Sequence, residues 1–358
     1  MNAFLRKIST TISGTLFERE ENCRVCNAKQ GEKIGVIDYW DIKTSILTKC
    51  PDCKHIQLDP MLDDYDTEKG CYAYYIEELT RTGIKEQEKN CIRNFRRGVL
   101  FGSSLKRKKI FPKSVLELGQ GSGYFSAGLQ FIFPNIAITV MDINQDLLDF
   151  NQHSHNYKTI KGIPDNLIEE HRNQYDLVIA RDIIEHVSDI YKVLSNIYLY
   201  LKPNGYFHFI TPNGHEDMWK HYLTCTLTQS HSELLINHVN YYDGAGLKNL
   251  LRQKGFQPID YYTYKIKTTL KGKGWKKKWK LMSNISTKLS ADNMIKENAS
   301  KIVFADLNKE KILNKWYVCP KAKWITILFS FYQHYSFIKL NPKYNLGHEI
   351  YGLFKKTT

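Results

Sequence analysis

The sequence predicts an α/β chain built on a doubly wound parallel sheet, preceded by a small cysteine-bearing module. Residues 114–123 read Ser-Val-Leu-Glu-Leu-Gly-Gln-Gly-Ser-Gly, a short apolar strand running into three alternating glycines and then a helical segment from Tyr124. Beyond it, apolar β-branched runs alternate with amphipathic stretches as far as residue 264, the cadence of a sheet covered by helices on both faces. Cys23-Arg-Val-Cys26 and Cys50-Pro-Asp-Cys53 stand apart from that alternation.

A chain of 358 residues can bury a substantial core and accommodates two domains or one with additions. Its 42% apolar and 25% charged residues are ordinary for a soluble globular protein, but a formal net charge of +14 is not. That excess implies attraction to nucleic acid, an anionic membrane surface or a phosphorylated substrate, or else a lysine-rich solvated surface. Residues 1–20 lack a continuous apolar core, and the apolar run 324–332 is about half a membrane span, so the expectation is a cytoplasmic protein. Of eight cysteines, four are closely paired and four scattered, which suits a reducing compartment.

In each C-x2-C pair the two-residue spacer bends the backbone so that both thiolates can face one metal. Two such knuckles supply four sulfurs to a tetrahedral site, and strand-like runs at 34–37 and 45–48 suit a zinc ribbon between them. With Cys23, Cys26, Cys50 and Cys53 all ligating, no position stays open for water, so Zn2+ is expected to be structural. A redox pair is the alternative, but it would not require a second, matched pair. His55 is read as a surface histidine.

In the glycine loop, backbone must turn sharply and let a ligand approach without a Cβ in the way. The dinucleotide fingerprint G-x-G-x-x-G fails here, because Tyr124 stands where the third glycine belongs. Residues 136–141 form a second β-branched run ending in Asp142 and Ile143. An acid at that strand end can accept hydrogen bonds from both hydroxyls of a ribose, or it can cap the helix predicted over 145–152. A third strand around 157–161 leads to Gly162-Ile-Pro-Asp165, where Asp165 is a ligand candidate or a turn residue. The run 175–180 reads as the fourth strand and is followed by Arg181-Asp-Ile-Ile-Glu-His186-Val. A helix over 190–201, the turn Lys202-Pro-Asn-Gly205, a strand over 206–211, a helix over 246–254 and a strand over 256–264 follow.

An acid (Glu117) two residues before the first of three alternating glycines (Gly119, Gly121, Gly123) resembles motif I of the class I S-adenosylmethionine-dependent methyltransferases. The stretch from Asp176 through Glu185-His186-Val187 resembles the D-x-V-x…-E-H-V run of many small-molecule members. The resemblance implies a Rossmann-like, seven-stranded methyltransferase sheet that binds S-adenosylmethionine. It implies cofactor contacts from Glu117, Gly119, Gly121, Gly123, Asp142, Ile143, Asp165 (on the adenine side) and Arg181. The final segment from Gly347 resembles the closing antiparallel strand of this family. The cysteine module, with Pro60 downstream, resembles the C-x2-C…C-x2-C-G start of methyltransferases from bacterial polysaccharide and sugar-modification pathways, with Lys54 in place of the commoner glycine. Related sugar C-methyltransferases share such a start but carry a larger C-terminal half that is not recognised here.

The implied chemistry is methyl transfer to a sugar or glycan hydroxyl, on a nucleotide-linked or lipid-linked acceptor. Another small molecule is a second possibility, and a noncatalytic basic zinc-ribbon module binding nucleic acid or membrane is the reading from a different class. A hydroxyl acceptor needs a base. His186, His215 and His238 are the candidates, each of which also reads as an architectural, surface or capping histidine. The Pro-Pro-aromatic motif of base-amino methylation is absent after the fourth strand, so nucleic acid is disfavoured.

The expected organisation is an N-terminal segment 1–20, zinc ribbon 21–60, helical linker or cap 61–112, cofactor-binding core 113–264, basic helical insertion 265–346 and closing strand 347–358. Residues 265–288 hold nine lysines and no acid, with Trp275 and Trp279 on one helical face. That composition suits peripheral contact with an anionic membrane face or a solvated basic surface.

Overall fold

In a computed structural model of the chain, the described residues are 16–18, 22–39, 43–59, 84–214, 216–217, 238–266, 338–344 and 346–357. His215, residues 61–83 of the expected linker, and 267–337 of the basic insertion with both tryptophans lie outside them. No described helix is long and apolar enough to cross a membrane.

The N-terminal strands β1 (Leu16–Glu18), β2 (Gln30–Tyr39), β3 (Lys43–Lys49) and β4 (Ile56–Asp59) pair antiparallel in chain order. A two-residue strand from far along the chain, β10 (Asn240–Tyr241), completes this sheet by pairing antiparallel with β4.

The second sheet is the predicted α/β layer. Its parallel strands are β5 (Ser114–Leu118), β6 (Ala137–Asp142), β7 (Lys158–Lys161), β8 (Tyr175–Arg181) and β9 (Leu201–Pro212). The closing strand β12 (Glu349–Lys356) inserts antiparallel between β9 and β11 (Phe256–Tyr264), giving the order β11-β12-β9-β8-β5-β6-β7. This is the Rossmann-like, seven-stranded mixed sheet that the sequence resemblance implies. Chain order runs one way from β5 to β7 and the other way from β8 to β9, so the crevice beyond β5 and β8 is the switch point where such sheets bind ligands.

Helices cover both faces: α1 (Ile84–Arg107), α2 (Tyr124–Ile132), α3 (Gln145–His155), α4 (Ile190–Tyr200) and α5 (Gly244–Gln253). Where α1 crosses α2, a Cβ on Gly98 would sit 2.0 Å from the Phe125 carbonyl oxygen, and one on Gly128 1.9 Å from that of Phe95. The two helices therefore meet backbone against backbone. Central strand β8 has Leu177, Val178, Ile179 and Ala180 fully buried, as expected of a strand covered on both faces. One core cluster joins β8, β9, α4 and α5 to Cys23, Val25 and Cys50, so the cysteine module shares the main core.

Element boundaries differ from expectation for local reasons. Helix α3 continues to His155 until Asn156 adopts a left-handed conformation (φ 57°) and its N–H closes back on the Asn151 and Gln152 carbonyls. Helix α5 starts at Gly244 because the Asp243 carboxylate accepts from the N–H groups of Ala245 and Gly246 (2.9 and 3.0 Å). Strand β9 begins at Leu201 and incorporates the turn that was expected to precede it, with a register shift against β8.

Candidate functional site

All candidate cofactor residues fall at or just beyond the carboxyl ends of β5 to β8. Glu117, near the end of β5, is 2% exposed and accepts a hydrogen bond from the Ser126 hydroxyl of α2. Burial raises its pKa to about 7, against the pull of the Arg181 charge and the Ser126 hydroxyl. The loop after it holds Gly119, Gly121 and Gly123 at φ 59°, 55° and 72°, the left-handed region that disfavours any side chain. Space forbids one as well: a Cβ on Gly119 would lie 2.0 Å from Ile183 Cδ1, and one on Gly123 1.9 Å from Asn151 Oδ1.

Helix α3 holds this loop through two side chains one turn apart. Asn151 Nδ2 donates to the Gly121 carbonyl (2.8 Å), and His155 Nε2 lies 3.0 Å from the Ser122 carbonyl. Neither residue was singled out from sequence; His155 lies beyond the helix predicted over 145–152, so their i,i+4 spacing becomes a signal only with the longer helix. Between the glycines, Gln120 is 7% exposed, and neither its Oε1 nor its Nε2 has a partner among the described residues. A buried amide without partners is expensive unless a ligand supplies them.

Asp142 ends β6. One carboxylate oxygen accepts the Asn144 N–H (2.9 Å), and Ile143 contributes a second backbone contact. Burial nonetheless raises its pKa to about 6. It is Asn144, not Asp142, that caps α3, by accepting the Leu147 N–H at 3.2 Å. Asp142 is thereby left with acceptor capacity toward the crevice. Asp165, 5% exposed, accepts from the Ser188 hydroxyl (3.3 Å), while its carbonyl accepts from Asn196 Nδ2 of α4 (2.9 Å). The Arg181 guanidinium stacks 4.1 Å over the Phe125 ring, and its pKa is lowered by burial and by the Arg97 charge.

A second group of side chains gathers beyond β8 and β9. Glu185, His186 and His238 place their ligand atoms within 4.8 Å of one another. Asp217, 1% exposed, holds His238 Nδ1 at 2.6 Å. The Glu185 carbonyl accepts both the Val239 and Asn240 N–H groups (3.0 and 3.1 Å), and Asn240 Nδ2 donates to the Val187 carbonyl (2.6 Å). These bonds fasten the segment bearing His238 to the end of β8. Of the three candidate bases, the structure brings His186 and His238 together and does not describe His215. Asp217 was not foreseen.

The four module cysteines also converge, with Cys23 Sγ 3.5 Å from Cys53 Sγ and Cys26 Sγ 3.4 Å from Cys50 Sγ, and none is oxidised. Sulfurs about 2.3 Å from one zinc would stand about 3.8 Å apart, so the cluster is compatible with a tetrahedral site. The knuckles match each other: Asn27 and Lys54 follow the second cysteine of each pair at φ 62°, and their N–H groups return to the Cys23 and Cys50 carbonyls (2.8 and 3.2 Å). A left-handed residue at position 54 explains why glycine is the commoner choice there.

His55 is not a surface residue as expected. It is fully buried, with Nδ1 3.1 Å from the Tyr241 carbonyl and its ring stacked 5.0 Å from Tyr242. The arrival of β10 beside β4 is what covers it.

Comparison with known proteins places this geometry. Residues 86–261 match the family described as Methyltransferase domain. The chain is 34% identical over 110 residues to a ubiquinone biosynthesis O-methyltransferase of Shewanella pealeana, covering 29% of this chain and 45% of that protein. It is 30% identical over 106 residues to a malonyl-[acyl-carrier protein] O-methyltransferase of Bacillus cereus, covering 28% and 38%. It is 25% identical over 130 residues to a ribosomal RNA small subunit methyltransferase G of Halalkalibacterium halodurans, covering 34% and 54%. The chain thus spans about half the length of the curated relatives it matches.

Proposed function

We propose that residues 86–261, which match the family described as Methyltransferase domain, bind S-adenosylmethionine as a class I methyltransferase domain, and that the chain transfers a methyl group to the hydroxyl of a sugar or glycan. The observation that carries the proposal is the pair of strand-end carboxylates, the buried Glu117 and the half-buried Asp142, beside a loop where no Cβ fits at Gly119 or Gly123. S-adenosylmethionine, when bound, supplies a methyl group on a positively charged sulfur. Asp142 and Ile143 hold the ribose diol, Asp165 stands on the adenine side, and the backbone of Gly119, Gly121 and Gly123 lets the cofactor approach Glu117. Gln120 offers its unpartnered amide, and Arg181 balances the charge of Glu117 from below. Proximity and orientation then supply most of the rate.

The acceptor is held over Glu185, His186 and His238, and its proton is handled at that cluster. An oxygen acceptor accords with the two O-methyltransferases among the relatives. The glycan class is supported by the pairing of a four-cysteine module with this core, and Zn2+ at Cys23, Cys26, Cys50 and Cys53 is assigned a structural role.

Calorimetric titration of zinc-loaded protein with S-adenosylmethionine and S-adenosylhomocysteine, with Asp142→Ala as control, tests the cofactor assignment. Binding lost in the variant is expected. Labelled methyl transfer to nucleotide sugars and glycans then tests the acceptor. Well-folded wild type that stays silent with donor and acceptors present would instead support a noncatalytic basic zinc-ribbon module.

A further inference from the structure

We propose that Glu185, His186 and His238 form a second metal site, one that binds a divalent first-row transition cation with coordination positions left open to the acceptor. Three observations support it independently of the cofactor. The carboxylate oxygen of Glu185 and one nitrogen from each histidine lie within 4.8 Å of one another; ligands about 2.0–2.2 Å from one ion stand at most about 4.4 Å apart, so small side-chain movements bring all three onto it. Glu185 is 1% exposed. One of its oxygens accepts the Thr211 hydroxyl at 2.9 Å, and the other, Oε1, has no partner among the described residues. A buried carboxylate oxygen left bare is costly, and a cation is the partner that removes the cost. Finally, Asp217 holds His238 Nδ1 at 2.6 Å. A carboxylate behind one ring nitrogen fixes the tautomer and turns the other nitrogen outward as a ligand, the arrangement that supports metal-bound histidines.

The donor set indicates the class of ion. Two imidazoles and one carboxylate suit manganese, iron, cobalt or zinc better than magnesium or calcium, which take oxygen ligands. Three protein donors, unlike the four thiolates of the cysteine module, leave room for an exogenous oxygen. The cluster is also pre-assembled. His238 reaches Glu185 through the Val239 and Asn240 N–H bonds to the Glu185 carbonyl, so a cation need not draw two loose segments together.

Its part in methyl transfer rests on the function proposed above; cation binding itself does not. A hydroxyl ligated to the ion loses its proton to water more readily. The oxygen's electron pair then forms the bond to the methyl carbon as the carbon–sulfur bond breaks, its pair remaining on sulfur. The products are the methyl ether, S-adenosylhomocysteine and one proton. The site lies toward the cofactor crevice, since Ile183, just before it, packs against Gly119.

The test uses full-length chain with the cysteine module loaded with zinc, titrated with MnCl2 while electron paramagnetic resonance follows free Mn2+. One Mn2+ per chain is expected, with nitrogen couplings from two imidazoles. His238→Ala should reduce these to one, and both His238→Ala and Glu185→Gln should weaken binding at least tenfold. Zinc content and S-adenosylhomocysteine binding report whether each variant is folded, and His186→Ala replaces any that is not. Wild type that ignores Mn2+ while binding S-adenosylhomocysteine overturns the site and leaves His238 as a base acting without a metal. Mn2+ binding unchanged in folded variants overturns it too. Mn2+ binding without S-adenosylhomocysteine binding supports the site and overturns the methyltransferase reading instead.

Discussion

Replacing Asp142 with Asn should make the ligand-free protein more stable and the cofactor harder to bind, because fold and ligand place opposite demands on that carboxylate. Burial raises its pKa from the ordinary 3.8 to about 6. Each tenfold change in proton affinity is worth about 1.4 kcal/mol, so holding Asp142 ionised above pH 6 costs the fold about 3 kcal/mol. Asn keeps an oxygen for the Asn144 N–H and carries no charge, leaving about 1 kcal/mol of amide desolvation to set against that figure. The net gain is about 2 kcal/mol, or about 4 °C in Tm for a chain of this size.

The sign depends on pH. A carboxyl whose folded pKa is raised binds its proton more tightly in the fold than in the unfolded chain. Its penalty is absent below pH 3.8, grows from there to about pH 6, and is complete above that. The variant's advantage should therefore be full at pH 7.5 and shrink at pH 5. Cofactor affinity moves the other way. Losing a charged acceptor for two ribose hydroxyls should cost about 1.5–3 kcal/mol, roughly 10- to 150-fold in Kd. Wild-type affinity should itself fall as pH drops through 6 and Asp142 becomes protonated. Thermal unfolding at both pH values, with and without S-adenosylhomocysteine, reads all of these. A variant less stable than wild type at pH 7.5 without ligand, yet equal in affinity, would refute the reasoning.

Gly119→Ala should destabilise the fold by about 2–4 kcal/mol, from left-handed backbone and a Cβ driven into Ile183. Cofactor binding should fall with it, and a melting temperature within a degree of wild type would count against the packing described. Lys54→Gly should stabilise the zinc-loaded module by up to about 1 kcal/mol, since glycine relieves a left-handed residue at φ 62°; chemical unfolding followed by zinc release checks it. His238→Ala should lower kcat by about 10²- to 10⁴-fold and leave S-adenosylhomocysteine affinity unchanged, as a steady-state and calorimetric comparison would show. Cys50→Ser should abolish stoichiometric zinc and cut turnover while sparing cofactor affinity, measured by metal release assay beside calorimetry.

What the sequence made legible was local in the chain. The glycine loop, Asp142 and the cysteine pairs are each readable within a dozen residues, because backbone conformation and ligand spacing are set there. The acceptor side was not legible in this way. His186 reads alone as an architectural histidine, and His238 and Asp217 follow no periodic pattern. Their meeting depends on the Val239 and Asn240 N–H groups finding the Glu185 carbonyl from the far end of β9. His55 was misjudged for the same reason. Its surroundings come from Tyr241 and Tyr242, which no neighbouring residue announces. Boundary differences at α3 and α5 reflect single capping residues, Asn156 through its left-handed backbone and Asp243 through its carboxylate, which override the apolar periodicity.

If zinc fills the cysteine cluster, the pairing of β4 with β10 would divide the molecule's dependence on it. Residues 240 and 241, which the cysteine module clasps, follow His238 by two and three positions, whereas Asp142 and the glycine loop stand on strands that do not pair with it. Zinc-starved protein should thus retain its grip on the methyl donor and lose the histidine proposed to face the acceptor. Donor occupancy would then be a poor gauge of working enzyme, and turnover would track the metal content of a site that never meets the substrate.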